Sequence, residues 1–374
     1  MENLVAVGVG ALFGFALDKA HTDAPKVISG QMEMRDFTMM RMFLAASGTS
    51  AAVVLALHLL GIKKRKPETG VALGLGLLNG FGANFVGGIL LGAGMYLSGS
   101  CPGTVWAQIG AGMPFTSSVL AGGILGTITF GYLEKLWRRN PEFHKRKTTE
   151  SSDMVPSFMP YAVASILFIG IAAGVIASID NFFPWENAQN LILANPIEPS
   201  VLSSSAPTLE AASWDPLLAG VLIGLLQIPV QLGTGTALGQ SSGWVLISSK
   251  IAGIFDKNIQ VNSPYLYKFA QERKPVYQVL VSGGIIIGAA LSQYLGNYPA
   301  LAPAFAVGAE SHLKAFVGGY LLLFGARLGN GCTSGHGLSG MAQLSIGAVV
   351  SVMGMFMGGM GLAAAMGNFV ELPF

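Results

Sequence analysis

Hydrophobic residues in this chain fall into long runs that are separated by shorter polar segments. A helix needs about 20 mostly apolar residues to cross a bilayer. Nine runs approach or exceed this length, and we expect each of them to form a membrane-spanning helix. The runs are residues 3–18, 37–60, 71–98, 115–136, 157–179, 215–232, 275–296, 312–329 and 345–367. The pattern therefore predicts an all-α membrane protein with about nine transmembrane helices.

Four segments between the runs contain glycine and a helix-compatible stretch but are too short to cross a bilayer. They lie at residues 101–112 and 332–343, and near residues 25–31 and 239–249. Irregular backbone at membrane depth is tolerated only where it is buried in protein or lines a cavity. We therefore expect re-entrant loops with short half-helices.

The only two cysteines of the chain stand in matching frames. A Phe-Val-Gly-Gly motif begins at Phe85 and again at Phe316, in each case 16 residues before a cysteine (101 − 85 = 332 − 316 = 16). A motif repeated at one fixed spacing indicates two copies of a structural unit. We predict a first transport repeat at 1–137, a linker with one transmembrane helix and an acidic outer loop at 138–213, and a second repeat at 214–374.

One linker span inverts the second repeat relative to the first, and inverted repeats are typical of transporters. Lysine and arginine cluster at residues 63–66, 138–147 and 250–274, which share one side in a nine-span model. The segment 180–215 carries glutamates and has neither lysine nor arginine. Because cytoplasmic loops are enriched in basic residues, we expect the N-terminus inside and the C-terminus outside.

Composition agrees with a membrane protein, since 11% of the residues are charged against about 25% in soluble domains. The net charge of +2 gives no basis for binding nucleic acid. Two cysteines can form neither a disulfide scaffold nor a four-ligand zinc site, and we expect no metal and no cofactor. No acidic residue lies clearly within a run, which argues against proton coupling.

Cys101 and Cys332 are the strongest candidate site residues. The alternative is that each is a small buried hydrophobe, as most free cysteines are. A thiol is a soft, weak hydrogen-bond donor, and it suits a sulfur-bearing ligand. Glycine and small polar residues around the two thiols complete the candidate loops. They are Gly99, Ser100, Pro102 and Thr104 in the first loop, and Asn330, Thr333 and Ser334 in the second.

Other polar residues in apolar surroundings allow two interpretations each. Arg327 is a site residue, because an intramembrane arginine is costly, or an anchor that reaches the inner surface. His336 is a donor near the ligand or a structural histidine. Gln240 belongs to a group of amides that either line an uncharged path for an anion or bond helix to helix. The other members are Gln108, Gln227, Gln231, Gln278, Gln343, Asn79, Asn84 and Asn330.

Several stretches resemble the YeeE/YedE sulfur-transport family. They are Gly-Ser-Cys-Pro-Gly-Thr at 99–104, Leu-Ile-Gly-Leu-Leu-Gln-Ile-Pro at 222–229, the segment 233–243 and Arg-Leu-Gly-Asn-Gly-Cys-Thr-Ser-Gly-His-Gly-Leu-Ser-Gly at 327–340. The resemblance covers nearly the whole chain. It implies an hourglass-shaped inverted-repeat protein that imports thiosulfate along cysteine thiols through S–H hydrogen bonds. Family members often carry a third cysteine near the first helical hairpin, where residues 18–23 here read Asp-Lys-Ala-His-Thr-Asp.

The sequence thus predicts an integral membrane transporter of a small sulfur anion, with thiosulfate as the first choice of substrate. Two alternatives are a membrane-bound thiol or sulfur-transfer enzyme and an accessory subunit of a membrane complex. The expected partners are the anion and the lipid bilayer, and a homo-oligomer or membrane-complex partners are left open. The choice between thiosulfate, sulfide and selenium species is left open as well, as are the energy source and the membrane.

Overall fold

A computed structural model describes residues 2–63, 80–138, 153–155, 159–183, 209, 213–234, 237–296 and 312–368 of the protein. Within these ranges the chain is helical, and the only extended pairing is an isolated bridge between Asp153 and Ser345. This confirms the all-α prediction. Residues 71–79 of the third predicted run and most of the acidic outer loop lie outside the described ranges.

The α-helices are numbered in chain order. They are α1 (Glu2–Lys19), α2 (Pro25–Met32), α3 (Thr38–Leu59), α4 (Gly82–Ser98), α5 (Thr104–Gly110), α6 (Thr116–Arg138), α7 (Tyr161–Phe182), α8 (Pro216–Leu225), α9 (Gln227–Thr234), α10 (Ser241–Phe255), α11 (Ile259–Asn262), α12 (Pro264–Gln271), α13 (Arg273–Gly296), α14 (His312–Leu328) and α15 (Ile346–Ala365). A π helix, Thr333–Gly340, lies between α14 and α15.

Six membrane-span candidates support an integral α-helical membrane protein. Among the described residues, α3, α6, α7, α13, α15 and the stretch Pro216–Gly233 are long and apolar enough to cross a bilayer. The helices α1, α4 and α14 occupy the other three predicted runs, so nine crossings stay a prediction. The run predicted at 215–232 is broken at Leu226 into α8 and α9.

The Phe-Val-Gly-Gly motifs place two helices against each other at the centre of the molecule. Helices α4 and α14 are antiparallel, since Gly94 faces Gly318 while Gly87 faces Gly325. A Cβ atom on Gly87 or on Gly94 would lie 2.7 Å from the facing carbonyl oxygen, which is closer than such contacts occur. Glycine is therefore what lets these two backbones approach, as it does in other membrane helix pairs.

Two further helix pairs run parallel at the sides of this centre. Helix α1 lies along α13, with Gly10 against Val281 and Gly14 against Ile285. Helix α8 lies along α3 in the same way, again through glycines of the shorter helix, at Gly220 and Gly224. The linker helix α7 packs on α3, and Arg41 of α3 forms an ion pair of 2.9 Å with Asp180 at the end of α7.

The shorter helices match the predicted re-entrant segments in part. Helices α2 and α5 lie where half-helices are predicted, whereas α10 continues to Phe255, beyond the predicted end at 249. The basic loop between α10 and α13 contains the short helices α11 and α12, which were not predicted from the sequence. A hydrogen bond from the Tyr132 hydroxyl holds the pKa of the exposed Asp256 carboxyl in this loop below its usual value.

Candidate functional site

The first cysteine loop begins where α4 ends at Gly99. This residue has a φ of +58°, and a Cβ atom on it would lie 2.5 Å from the Cβ of Pro25, so only glycine fits. The Cys101 amide donates a 2.7 Å hydrogen bond to the Thr104 hydroxyl, and the Thr104 amide donates a 3.3 Å bond to the Cys101 Sγ. The thiol is thereby fixed at the start of α5.

A single buried side-chain amide, that of Gln108, holds the same loop in place. Its Nε2 donates to the carbonyl oxygens of Asp23 at 2.7 Å and Gly99 at 2.9 Å. Its Oε1 accepts a 2.6 Å hydrogen bond from the Ser100 hydroxyl. The loop is also held from α10, because the Trp244 indole donates to the Pro102 carbonyl at 2.9 Å. From the sequence, Gln108 was predicted only as one of the amides that line an uncharged path or bond helix to helix.

The second cysteine loop follows the same plan. Asn330 stands two residues before Cys332, as Gly99 does before Cys101, and it too is left-handed, with a φ of +59°. Asn330 is exposed to the surroundings of the protein. The Cys332 Sγ is fully buried and lies 3.2 Å from the Ser334 hydroxyl, while the Thr333 hydroxyl lies 3.6 Å from the Met95 sulfur.

His336 supports the second loop without bonding to its thiol, whereas Arg327 contacts α12. His336 Nε2 lies 3.0 Å from the Gly329 carbonyl oxygen, and its amide donates to the Cys332 carbonyl at 2.8 Å. This geometry favours the structural interpretation of His336. The Arg327 guanidinium is buried and donates a 3.4 Å hydrogen bond to the Tyr265 hydroxyl of α12.

Gln240 lies on the side of the first loop that faces α13. Its Oε1 accepts a 3.0 Å hydrogen bond from the Ser282 hydroxyl. Its Cγ is 3.8 Å from the position that a Cβ atom on Gly103 would take. Gln240 is therefore packed against the Cys101 loop and bonded to α13 at once.

Both cysteine loops border one cavity, whose empty space is about 380 Å³ when the part open to the surroundings is included. The first loop contributes Cys101, Gly103 and Thr104 to its wall, and the second contributes Thr333 and Ser334. The rest of the wall comes mainly from apolar and methionine side chains of α1, α3 and α8. The structure therefore brings Cys101 and Thr104 of the first loop together with Thr333 and Ser334 of the second. The other predicted site residues are not part of this wall; they are Cys332, Gly99, Ser100, Pro102, Asn330, His336, Arg327 and Gln240.

A second cavity of about 330 Å³ adjoins the first at Met39, Phe43 and Thr333. Methionine side chains are prominent in its wall. Together the two cavities are lined by Met32, Met39, Met42, Met95 and Met355. Thioether sulfur is polarizable and adapts its shape to what it contacts. The cluster of methionines at 39–42 is the sequence signal that could have found this surface.

The polar groups in the walls of these two cavities are neutral. In the part of the chain that the structure describes, no charged side chain lines either cavity. The surface that faces the first cavity is apolar, and the nearest neutral donors for a ligand are the Cys101 thiol and the hydroxyls of Thr104, Thr333 and Ser334 just behind it. Such donors hold an anion less tightly than a lysine or arginine would, because hydrogen bonds to charged groups are the stronger ones.

A family model described as sulphur transport matches residues 20–361 of the chain. The chain belongs to the sulphur transport family. This assignment confirms the YeeE/YedE resemblance carried by the cysteine motifs. Membership of this family, together with six helices that are long and apolar enough to cross a bilayer, indicates a membrane transporter.

Two relatives from Xylella fastidiosa, from the strains Temecula1 / ATCC 700964 and 9a5c, are each named a probable transporter. They are 29% identical to this chain over 157 and 156 residues. Each alignment covers 96% of the relative and 42% of this chain. A protein of less than half the length therefore corresponds to part of this member of the sulphur transport family.

Proposed function

We propose that the protein carries thiosulfate, or a closely related small sulfur anion, across the membrane between its two cysteine loops. The observation that carries this proposal is the shared cavity, which Cys101, Thr104, Thr333 and Ser334 all border. Membership of the sulphur transport family gives the ligand class. Soft thiol and thioether groups are suited to the polarizable terminal sulfur of thiosulfate.

The proposed architecture has nine crossings and two inverted repeats, each with its own cysteine loop. The packing supports it, because α4 and α14, which carry the matching motifs, are antiparallel. Each remaining contact joins a helix of one repeat to a helix of the other, and each has a counterpart. Helix α1 packs on α13 and its counterpart α8 packs on α3, while α4 packs on α15 and its counterpart α14 packs on α6. Relatives that correspond to 42% of this chain are also of the size that one repeat would have.

The repeats at 1–137 and 214–374, joined by the linker at 138–213, then open to opposite sides. With the N-terminus inside and the C-terminus outside, Cys101 faces the outer entrance and Cys332 the inner exit. Arg327 lies behind the inner loop, on the side of α12. There it contributes positive potential to the exit without contacting the anion.

In this mechanism each thiol donates a hydrogen bond to the anion and does not attack it. A path without a charged partner binds weakly, and conduction requires that each site release what it binds. Gly99 and Pro102 shape the first loop, and Ser100 ties it to Gln108. Thr333 and Ser334 of the second loop border the same cavity, and their hydroxyls would have to turn towards the anion when it binds.

The proposal is tested by uptake of radiolabelled thiosulfate into proteoliposomes that contain the purified protein. We expect saturable uptake that unlabelled thiosulfate competes away and that empty vesicles lack. Parallel assays with sulfide and selenite rank the substrates. Absence of thiosulfate uptake would overturn the proposal, and a persulfide trapped on Cys332 during turnover would instead favour a sulfur-transfer enzyme.

Replacing Thr104 with valine should slow thiosulfate uptake roughly fivefold while leaving the fold intact. Valine keeps the shape but removes the hydroxyl that accepts from the Cys101 amide at 2.7 Å, a bond of about 1 kcal/mol. Thr129→Val is the matched control, because its hydroxyl bonds only to its own helix, at an exposed position. Equal uptake rates in the two variants would show that Thr104 does not position the thiol.

A further inference from the structure

The turn between α1 and α2 buries four ionisable side chains. Asp18, Lys19, His21 and Asp23 are each at most 3% exposed. Two residues of α1 that precede them, Phe13 and Leu17, line the cavity between the cysteine loops. The expectation that the helical runs carry no clear acidic residue is therefore wrong at the end of α1, and Glu134 in α6 is buried as well.

Amide and carbonyl groups of two other helices face this turn. On α13, the Gln293 amide donates to Asp18 Oδ1 at 2.6 Å, and the Ser292 carbonyl oxygen lies 3.5 Å from Lys19 Nζ. On α5, Gln108 donates to the Asp23 carbonyl. Charge interactions occur within the turn itself. Lys19 attracts Asp18 and repels a charged His21, and Asp18 repels Asp23.

Both carboxyls of the turn carry an oxygen atom, Asp18 Oδ2 and Asp23 Oδ2, that has no hydrogen-bond partner in the described part of the chain. A buried carboxylate with an unsatisfied oxygen atom costs several kcal/mol, and a bound proton removes its charge. The Asp18 carboxyl accepts a hydrogen bond from Gln293 through Oδ1, which stabilises its ionised form, so Asp23 is the better place for that proton.

The same turn is joined to the first cysteine loop through one side chain. Gln108 Nε2 donates both to the Asp23 carbonyl and to the Gly99 carbonyl, and Gln108 Oε1 accepts from Ser100. A shift of the turn on protonation therefore displaces the loop that presents Cys101. The loop that presents Cys101 and the backbone of Asp23 therefore belong to one hydrogen-bonded unit.

We propose that Asp18 and Asp23 form a proton-binding site that couples thiosulfate import to proton entry. The inference rests on the proposed function and adds its energy source. The anion enters at Cys101 as the turn takes up a proton, and both are released inward. Protonation cancels the negative charge of the turn, which otherwise repels an anion near Cys101.

The test is thiosulfate accumulation in proteoliposomes with the membrane potential clamped at zero by valinomycin and equal potassium. For one coupled proton, an inward gradient of about one pH unit sustains about a tenfold accumulation, since 1.4 kcal/mol corresponds to a factor of ten. We expect this accumulation in the wild-type protein. In Asp23→Asn we expect none, while exchange of labelled for unlabelled thiosulfate continues, which shows that the variant is folded.

Asp36→Asn is the matched control. Asp36, between α2 and α3, is a third buried carboxylate, but its Oδ1 accepts a 2.8 Å hydrogen bond from the Thr38 amide, and asparagine preserves that bond. This variant should keep the tenfold accumulation. Wild-type uptake that only equilibrates, whatever the pH gradient, would overturn the coupling and leave transport standing. Absence of any wild-type uptake would overturn both. Accumulation retained in both Asp23→Asn and Asp18→Asn would overturn the assignment of the site.

Discussion

Replacing either Gly88 or Gly319 with valine should abolish recovery of folded protein from the membrane. These are the second glycines of the two Phe-Val-Gly-Gly motifs, and each faces the backbone of a neighbouring helix. A Cβ atom on Gly88 would overlap the Ser351 carbonyl oxygen of α15, and one on Gly319 would overlap the Val119 carbonyl oxygen of α6. Overpacking costs about 1–3 kcal/mol where side chains can move aside. Here the obstacles are backbone atoms, so we expect the upper end of that range or more.

Monodisperse protein after detergent extraction and its thermal unfolding midpoint measure the effect. Gly174→Val is the matched control, since Gly174 lies on the exposed side of α7 with nothing within 4 Å of a Cβ atom. It should change stability by less than about 0.5 kcal/mol. A Gly88→Val or Gly319→Val protein as stable as this control would mean that the helix contacts are not as close as described.

The motif was visible in the sequence, but the reason for its two adjacent glycines was not. Spacing alone indicates that the frames of Cys101 and Cys332 are copies of one unit. It does not show that the first glycine of each motif meets the matching helix of the other frame while the second meets α15 or α6. That division of contacts depends on how distant helices pack, and the chain carries no local signal for it.

The helical runs were predictable because a bilayer sets their length, and the cysteine loops because glycine and small polar residues interrupt them. Three features escaped prediction for physical reasons. The break at Leu226 lies inside a run that is long enough for one span, and its local signal is Pro229, which cannot donate the helical hydrogen bond to the Leu225 carbonyl. The π helix at Thr333–Gly340 has the composition of an ordinary half-helix. The burial of Asp23 depends on a turn that is covered by α5 and α13, far along the chain.

The two loops are alike in backbone and different in their supports. Gly99 and Asn330 are left-handed at equivalent positions, yet Gly99 is packed on Pro25 whereas Asn330 is exposed. Seven residues after each cysteine stand Gln108 and Ser339. Gln108 binds the turn after α1, and Ser339 donates to the Leu238 carbonyl at 2.6 Å after α9. Only the first support reaches the backbone of a residue with a buried carboxyl, Asp23, so we expect any coupling to protons to act on the Cys101 loop.

Alanine at Cys101 or at Cys332 should reduce thiosulfate uptake at low concentration about fivefold each, and both together about tenfold or more. Each change removes one S–H donor worth about 1 kcal/mol, which corresponds to roughly a fivefold change in binding. The initial rate of uptake below saturation is the measurement, corrected for protein in the vesicles. Met353→Ala removes a sulfur at an exposed position of α15 and should have no effect.

Serine at the same positions tests whether the softness of the thiol matters, or only its ability to donate a hydrogen bond. A hydroxyl is a stronger donor than a thiol but a harder group, so we expect Cys101→Ser and Cys332→Ser to bind sulfate better relative to thiosulfate than the wild type does. Competition of sulfate against labelled thiosulfate measures this ratio. Alanine variants at both positions that transport as fast as the wild type would exclude a thiol relay. Serine variants with an unchanged ratio would mean that the methionine-lined walls, and not the thiols, select the sulfur anion.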